Sequence, residues 1–105
     1  MKKSKEEILK IIKKKLASVN PEARIILYGS QARGDARENS DWDLLVILNK
    51  SKIESSDFDT ISYPIFELGL NEGVFFSTKL YTKAEWEQRS FTPFYKNVEK
   101  EGIRL

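Results

Sequence analysis

Two aspartates separated by one residue, Asp41 and Asp43, stand at the start of an apolar run that continues to Leu48. In a strand, alternate side chains point to the same face, so both carboxylates would share one face. Like charges there repel each other unless a cation lies between them, and burying unpaired carboxylates costs free energy. The pair is therefore a candidate site for Mg²⁺, which prefers carboxylate oxygens; the alternative is two acids in an exposed turn.

A Gly29-Ser30 pair follows another apolar run, RIILY, which ends at Tyr28. Glycine lets the backbone approach a ligand closely, and a helix that begins here would aim unpaired N–H groups at an anion. Ser30 adds a hydroxyl donor. A Gly-Ser pair alone usually marks an ordinary strand-to-helix turn, but together with the acidic pair it indicates a site for a metal-bound polyphosphate.

The elements that must position these residues alternate between helix and strand. Proline cannot continue a helix, so the first helix is expected to end at Asn20-Pro21. Thr82, with Glu85 three residues later, is typical of a capping box that opens the last helical region. The remaining pattern predicts strands over Arg24 to Tyr28, Asp41 to Leu48 and Val74 to Tyr81, a short helix from Ser30 to about Ala36, a helix from Asp57 to Leu70, and a break in the helical tail near Thr92-Pro93.

The order αβαβαβα predicts an α/β (α+β) fold with a small mixed sheet of three or more strands flanked by helices. The 105 residues, 40% of them hydrophobic, are expected to form one domain over residues 1–105. The absence of histidine and cysteine excludes an imidazole base and a thiolate metal site, so any catalysis must use carboxylates, hydroxyls, amines or a hard metal ion. No apolar run approaches the ~20 residues of a membrane span, which favours a soluble, cytoplasmic protein.

Lysines crowd the N-terminal region, although the net charge is only +2. Ile8, Ile12 and Leu16 recur among them at helical spacing, so the lysines are expected to form the solvated side of an amphipathic helix. The alternative is that this side, with Lys13 to Lys15, contacts phosphate or RNA.

The two chemical motifs stand at a spacing that is similar to a known signature. Gly29-Ser30-Gln31-Ala32-Arg33-Gly34, followed by Ser40-Asp41-Trp42-Asp43-Leu44, resembles the G-S-x-A-R-G-x5-S-D-x-D-L pattern of the minimal nucleotidyltransferases, in the DNA polymerase β-like superfamily. The resemblance implies an enzyme that transfers a nucleoside monophosphate, AMP from ATP, to a protein or RNA acceptor while pyrophosphate leaves. A tRNA is one acceptor of this kind.

The resemblance also assigns roles to the matching residues. Gly29 and Ser30 would hold the triphosphate, and Asp41 and Asp43 would be the catalytic pair that binds Mg²⁺ or Mn²⁺. Arg33 would orient the motif helix or neutralise phosphate, although a surface salt bridge is equally compatible with its position. Ser40 is interpreted as a turn or cap residue.

Active members of this superfamily generally use a third carboxylate from the next strand. Here that strand reads VFFSTKLY, without an acid, and Phe75 falls where the aspartate is expected. Glu72, at the entrance to the strand, is the candidate substitute, and Glu67 is a poorer one. Two carboxylates can hold a metal nucleotide while catalysing slowly or not at all, because phosphoryl transfer depends on positioning and charge neutralisation.

This departure keeps a second hypothesis open. Minimal nucleotidyltransferases that resemble this chain act as antitoxins beside a helical HEPN ribonuclease, which they adenylylate or bind. The chain could therefore be a toxin–antitoxin regulatory module that keeps the fold without turnover. The third hypothesis is nucleic-acid binding through the lysine-rich helix.

Overall fold

The computed structural model describes residues 3–37 and 39–105. Its α-helices are α1 (Lys5–Val19), α2 (Ser30–Arg33), α3 (Ser55–Asp57), α4 (Tyr63–Glu72), α5 (Lys83–Gln88) and α6 (Pro93–Glu101). A π-helical turn, Phe58–Ser62, joins α3 to α4. The strands are β1 (Arg24–Tyr28), β2 (Trp42–Leu48), β3 (Phe76–Thr82) and β4 (Ile103–Arg104).

The four strands form one mixed sheet in the order β3-β2-β1-β4. Strand β1 is antiparallel to both β2 and β4, whereas β2 and β3 are parallel and are joined by the crossover through α3 and α4. The α/β class with a mixed sheet is thus confirmed. The short β4 was not predicted, because its two residues pair with Ile26 and Leu27, which lie far away in the sequence.

Several predicted boundaries are confirmed and others move by a few residues. Strand β1 has the predicted bounds, and the Thr82 hydroxyl accepts from the Glu85 N–H at 3.1 Å in the predicted capping box. Helix α2 ends at Arg33 rather than near Ala36, because Gly34 follows it in the left-handed conformation (φ 86°). Helix α2 begins at Ser30, as predicted, and Gly29 is its N-cap.

The predicted helix from Asp57 to Leu70 is longer, spanning α3, the π turn and α4. Pro64 lies in the first turn of α4, and the preceding Tyr63 N–H donates to the Phe58 carbonyl, five residues back. A wider turn at this point accommodates a residue that has no N–H to donate. Pro64 therefore coincides with a change of helix type and not with a break in the helix.

The sheet separates two cores. Its α1/α4 face carries Leu27, Leu44 and Val46, and packs against Ile12 of α1 and Ile65 of α4. The predicted amphipathic α1 is confirmed: Ile8, Ile12 and Leu16 are its buried residues.

The opposite, α5/α6 face carries Ile26, Leu45 and Ile47, and packs against Trp86 of α5 and Val98 of α6. The Trp86 ring lies 4.7 Å from that of Tyr95, centroid to centroid, so this core is largely aromatic. Within residues 3–37 and 39–105, no helix combines the length and the apolar character that crossing a membrane requires.

Candidate nucleotide and metal site

Asp43 lies on β2, and strand alternation directs it to the α5/α6 face. It is half-buried, opposite Tyr28 of β1 and Ser77 of β3 in the sheet register. Asp41 is exposed and stands one residue before β2 begins. The α5/α6 core covers the same face further along β2 at Leu45, so the acids lie where that core ends.

The Gly29 backbone lies directly against the Asp43 carboxylate. A Cβ atom at position 29 would collide with Asp43 Oδ2 and would lie 3.3 Å from its Cγ. Gly29 also has φ 76° and ψ −160°, a region that only glycine occupies without strain. Glycine is therefore required here for two reasons, and the turn predicted to bind phosphate is in contact with the acid predicted to bind metal.

The surroundings of Asp43 disfavour the ionised form of its carboxyl group. Burial raises the pKa of Asp43 above its ordinary value, and the neighbouring Asp41 raises it further, while Lys79 and Arg33 lower it to a smaller extent. A divalent cation between the two carboxylates would relieve both effects, and their oxygens are hard donors that suit Mg²⁺ or Mn²⁺. The donor set thus fits a hard divalent cation.

The described residues place no third carboxylate at the pair. Among the described residues, no group of three Asp or Glu side chains is arranged to hold a metal. Glu72 instead pairs with Lys3, with 3.3 Å between Nζ and Oε2, and Glu67 is an exposed residue of α4. The structure therefore does not bring the predicted substitute to Asp41 and Asp43.

Strand β3 presents other residue types beside the pair. The register aligns Ser77 with Asp43, and Lys79 stands two residues further along the same face. Phe75, which precedes the strand, is 57% exposed, and its carbonyl accepts from the Trp42 N–H at 2.8 Å. The neighbouring strand thus contributes a hydroxyl and an ammonium group, but no acid.

Arg33 has a structural connection that the motif alone did not reveal. Its Nε donates to Asp35 at 3.2 Å, and its terminal nitrogen donates to Glu101 of α6 at 3.3 Å. These partners raise the pKa of Arg33. The ion pair, left open as one alternative, is what the structure contains, and it ties α2 to α6 while the guanidinium still lowers the pKa of Asp43.

Ser40 has the turn role that was predicted for it. Its hydroxyl accepts from the Arg37 N–H at 2.9 Å, and its carbonyl accepts from the Gln31 side chain at 3.3 Å. Both contacts stabilise the loop that leads into Asp41. Ser30 is half-buried in the first position of α2.

Sequence reasoning missed two residues of this face, Tyr28 and Lys79. Burial raises the pKa of Tyr28 to about 12, with Asp43 and Tyr81 adding to the effect, so its hydroxyl stays protonated and can donate. Lys79 Nζ lies 5.0 Å from the centre of the Phe94 ring. Alternation along a single strand does not show which residues of β1 and β3 lie near Asp43. The pairing register shows it: Tyr28 pairs with Asp43, and Lys79 stands two residues after the partner of Asp43 on β3.

A cavity of about 490 Å³ opens on the other side of β2, against Trp42. Ile8, Gln31 and Phe75 contribute to its walls, whereas Asp41 and Asp43 do not. Trp42 faces the α1/α4 core and Asp43 the opposite side, so the cavity is separate from the acid pair.

This fold agrees with what comparison with known proteins finds. The family model of the nucleotidyltransferase domain matches residues 5–103, nearly the whole chain. The chain therefore belongs to the nucleotidyltransferase domain family, in the polymerase β-like superfamily, which confirms the class of enzyme predicted from the motif.

Two individual proteins are similar to it. A Methanocaldococcus jannaschii protein named "Putative protein adenylyltransferase" is 33% identical over 79 residues, covering 75% of this chain and 73% of the relative. A solved structure titled "Crystal structure of the toxin-antitoxin with AMP-PNP" matches with a TM-score of 0.58 and 22% identity, over 92% of this chain and 70% of that one. At that identity, the second likeness supports the fold alone.

Proposed function

We propose that this chain transfers AMP from ATP to a hydroxyl group of a protein acceptor. The observation that carries the proposal is the contact between the Gly29 turn and the Asp43 carboxylate, because it brings the turn that we expect to bind phosphate against the acid that we expect to bind metal. The M. jannaschii relative, whose name describes a protein adenylyltransferase, supports a protein as the acceptor. RNA is the alternative acceptor.

In this proposal the residues of the chain position and neutralise the substrate. The Gly29-Ser30 turn holds the triphosphate, and Asp41 and Asp43 hold Mg²⁺. The metal ion supplies charge neutralisation at the phosphate oxygens when it is bound. Lys79, whose charge already acts on Asp43, adds a further cation on the phosphate side, and the protonated Tyr28 hydroxyl donates from β1.

The reaction forms a bond between the acceptor oxygen and the α-phosphorus of ATP. The bond from that phosphorus to the bridging oxygen breaks, and pyrophosphate leaves with the electron pair. The hydroxyl proton passes to solvent, since the described residues place no third carboxylate at the pair. Turnover is therefore expected to be slow.

A second candidate function is favoured by β3, which presents Ser77 and Lys79 where a carboxylate would support turnover. In that case the chain binds ATP and acts as a regulatory antitoxin on a helical HEPN-type protein without modifying it. The two candidates share a binding site and differ in whether nucleotide is transferred.

The test combines α-labelled ATP and Mg²⁺ with three acceptors: the chain itself, a purified HEPN-type protein and tRNA. The proposal predicts label on the protein acceptor, lost in the double variant Asp41→Asn, Asp43→Asn. Glu22→Gln is the matched control, because Glu22 is an exposed acid outside the site.

Calorimetric ATP binding separates the outcomes. Binding that the double variant loses, without label on any acceptor, supports the regulatory function. Label on tRNA alone would show that the acceptor is RNA and not a protein. If the chain does not bind ATP and no acceptor is labelled, both candidate functions are rejected.

A further inference from the structure

Five large apolar side chains are exposed between residue 58 and the start of β3. Four lie on the helical segment from α3 to α4, and the fifth precedes β3. We call this surface the aromatic face; its members are Phe58 (49% exposed), Tyr63 (60%), Phe66 (39%), Leu70 (52%) and Phe75 (57%). Exposed apolar residues that are contiguous commonly mark interaction sites, whereas scattered ones need no explanation.

The π turn makes this face continuous. Residues three, four and seven apart share one side of an α-helix, which aligns Tyr63, Phe66 and Leu70. Phe58 is five residues before Tyr63 and would lie on a different side of a regular α-helix. The hydrogen bond from the Tyr63 N–H to the Phe58 carbonyl closes a wider turn, so Phe58 stacks one turn below Tyr63 and extends the stripe.

The segment that carries this face is acidic. From residue 53 to residue 78 there are five carboxylates, Glu54, Asp57, Asp59, Glu67 and Glu72, and neither lysine nor arginine.

Three of these acids already have basic partners elsewhere in the chain. Lys50 Nζ lies 3.0 Å from Glu54 Oε1 and 2.9 Å from Asp57 Oδ2. Lys3 Nζ lies 3.3 Å from Glu72 Oε2. Asp59 and Glu67 are exposed beside Phe58 and Phe66, so a complementary surface would be apolar in its centre and basic at its edges.

Phe75 extends the aromatic face to the end of the sheet at which β2 begins. The Phe66 and Phe75 rings lie 6.3 Å apart, centroid to centroid. The Phe75 carbonyl accepts from the N–H of Trp42, the residue between Asp41 and Asp43. One end of the aromatic face therefore lies at the end of the sheet where β2 and the acid pair begin, although Asp43 itself points to the opposite side of β2.

We propose that the aromatic face docks the acceptor protein, through an amphipathic helix of that protein with apolar residues at spacings of three and four, flanked by lysine or arginine. The acceptor role rests on the proposed transfer of AMP, whereas the docking does not. A symmetric dimer through this face is disfavoured, because it would bring the same carboxylates of two copies together. A basic amphipathic helix would contact the apolar side chains of the aromatic face and pair with the carboxylates beside them.

The experiment uses the intact chain and a fluorescent model peptide: a helix with leucine at spacings of three and four, flanked by lysines. Binding is followed by fluorescence anisotropy. The double variant Phe66→Ser, Leu70→Ser is expected to bind the peptide at least tenfold more weakly. Phe91→Ser is the matched control, because Phe91 is 78% exposed outside the face and its loss should leave binding unchanged.

Position is tested separately from affinity. A nitroxide is attached to one end of the peptide at a time. From one of the two ends, it is expected to broaden the amide NMR signals of Trp42 and Asp43, whereas the signal of Asn20 stays sharp. Peptide binding by the Asp41→Asn, Asp43→Asn variant is expected to be retained. The docking thus stands if transfer fails, and transfer stands if docking fails.

Three results would overturn the docking proposal. One is no binding of the basic peptide at about 1 mM, the weak end of specific affinity. Another is equal binding of a peptide with glutamates in place of the lysines. The third is a concentration-dependent dimer in sedimentation that the Phe66→Ser, Leu70→Ser variant loses, since that result makes a second copy the occupant.

Discussion

The two faces of β2 differ in how completely the helices cover them. On the α1/α4 face, Leu44, Val46 and Leu48 are fully buried along the whole strand. On the α5/α6 face, Leu45 and Ile47 are covered, but Asp43 at the start of the strand is only half-buried. One strand thus contributes to a closed core on one side and to an open, charged site on the other.

This difference shows how a small domain keeps an acid pair without losing its fold. Asp43 adds unfavourable charge near the start of a central strand, as the raised pKa of its carboxyl indicates. The apolar side chains that alternate with it are buried against α1 and α4 and supply the opposing stabilisation. Substitutions on the two faces should therefore separate stability from nucleotide binding.

The largest expected effect on stability is at the closed face. Leu44→Ala removes a side chain that is 0% exposed and leaves a cavity, which should cost about 3 kcal/mol. Urea unfolding followed by circular dichroism measures this loss. The folded fraction should still bind ATP, and a loss of binding beyond the loss of folded protein would contradict the separation of the faces.

Gly29→Ala should affect both the stability of the fold and the candidate site. The added methyl group meets the Asp43 carboxylate and forces a backbone conformation reserved for glycine, for a total cost of roughly 2 kcal/mol. ATP binding measured by calorimetry should be lost. Gly34→Ala is the control, because φ is also positive there but, apart from its two chain neighbours, no described residue has an atom within 4 Å of the added Cβ; it should lose stability and keep binding.

Lys79→Met tests the cation on the open face. If this ammonium group helps to neutralise the triphosphate, ATP binding should weaken about tenfold, equivalent to roughly 1.4 kcal/mol. Lys83→Met provides the comparison, since Lys83 is an exposed lysine at the start of α5. Equal weakening in both variants would indicate a general charge effect and not a contact at the site.

The smallest effect should be a gain in stability. The pKa of Asp43 is raised in the folded protein, so its ionisation destabilises the fold, and this loss develops as the pH rises through the folded pKa. Asp43→Asn should stabilise the chain at pH 7 by roughly 0.5 kcal/mol, a small value because solvent screens this partly exposed group.

The pH dependence of thermal unfolding checks the sign. The difference between Asp43→Asn and the parent chain should vanish below about pH 4, near the ordinary pKa of aspartate, where both side chains are neutral. A difference that grows on acidification would mean that the folded protein lowers the pKa of Asp43 instead of raising it.

Local patterns in the sequence predicted the parts of the fold that neighbouring residues decide. The bounds of β1, the Thr82 and Glu85 capping box, and the helix break before Pro93 were all predicted and are present. The motif likewise identified the family, because its residue types and spacing are specific. Each of these features depends on interactions within a few residues of chain.

Tertiary structure decided what depends on pairing between distant residues. The contact of Gly29 with Asp43, the proximity of Tyr28 and Lys79, and the pairing of Glu72 with Lys3 follow from strand register and helix packing. The π turn that brings Phe58 into line with Tyr63 also lies outside any helical periodicity. The sequence by itself determined the class of chemistry and the elements that carry it, whereas packing determined which groups meet, because those groups lie far apart along the chain.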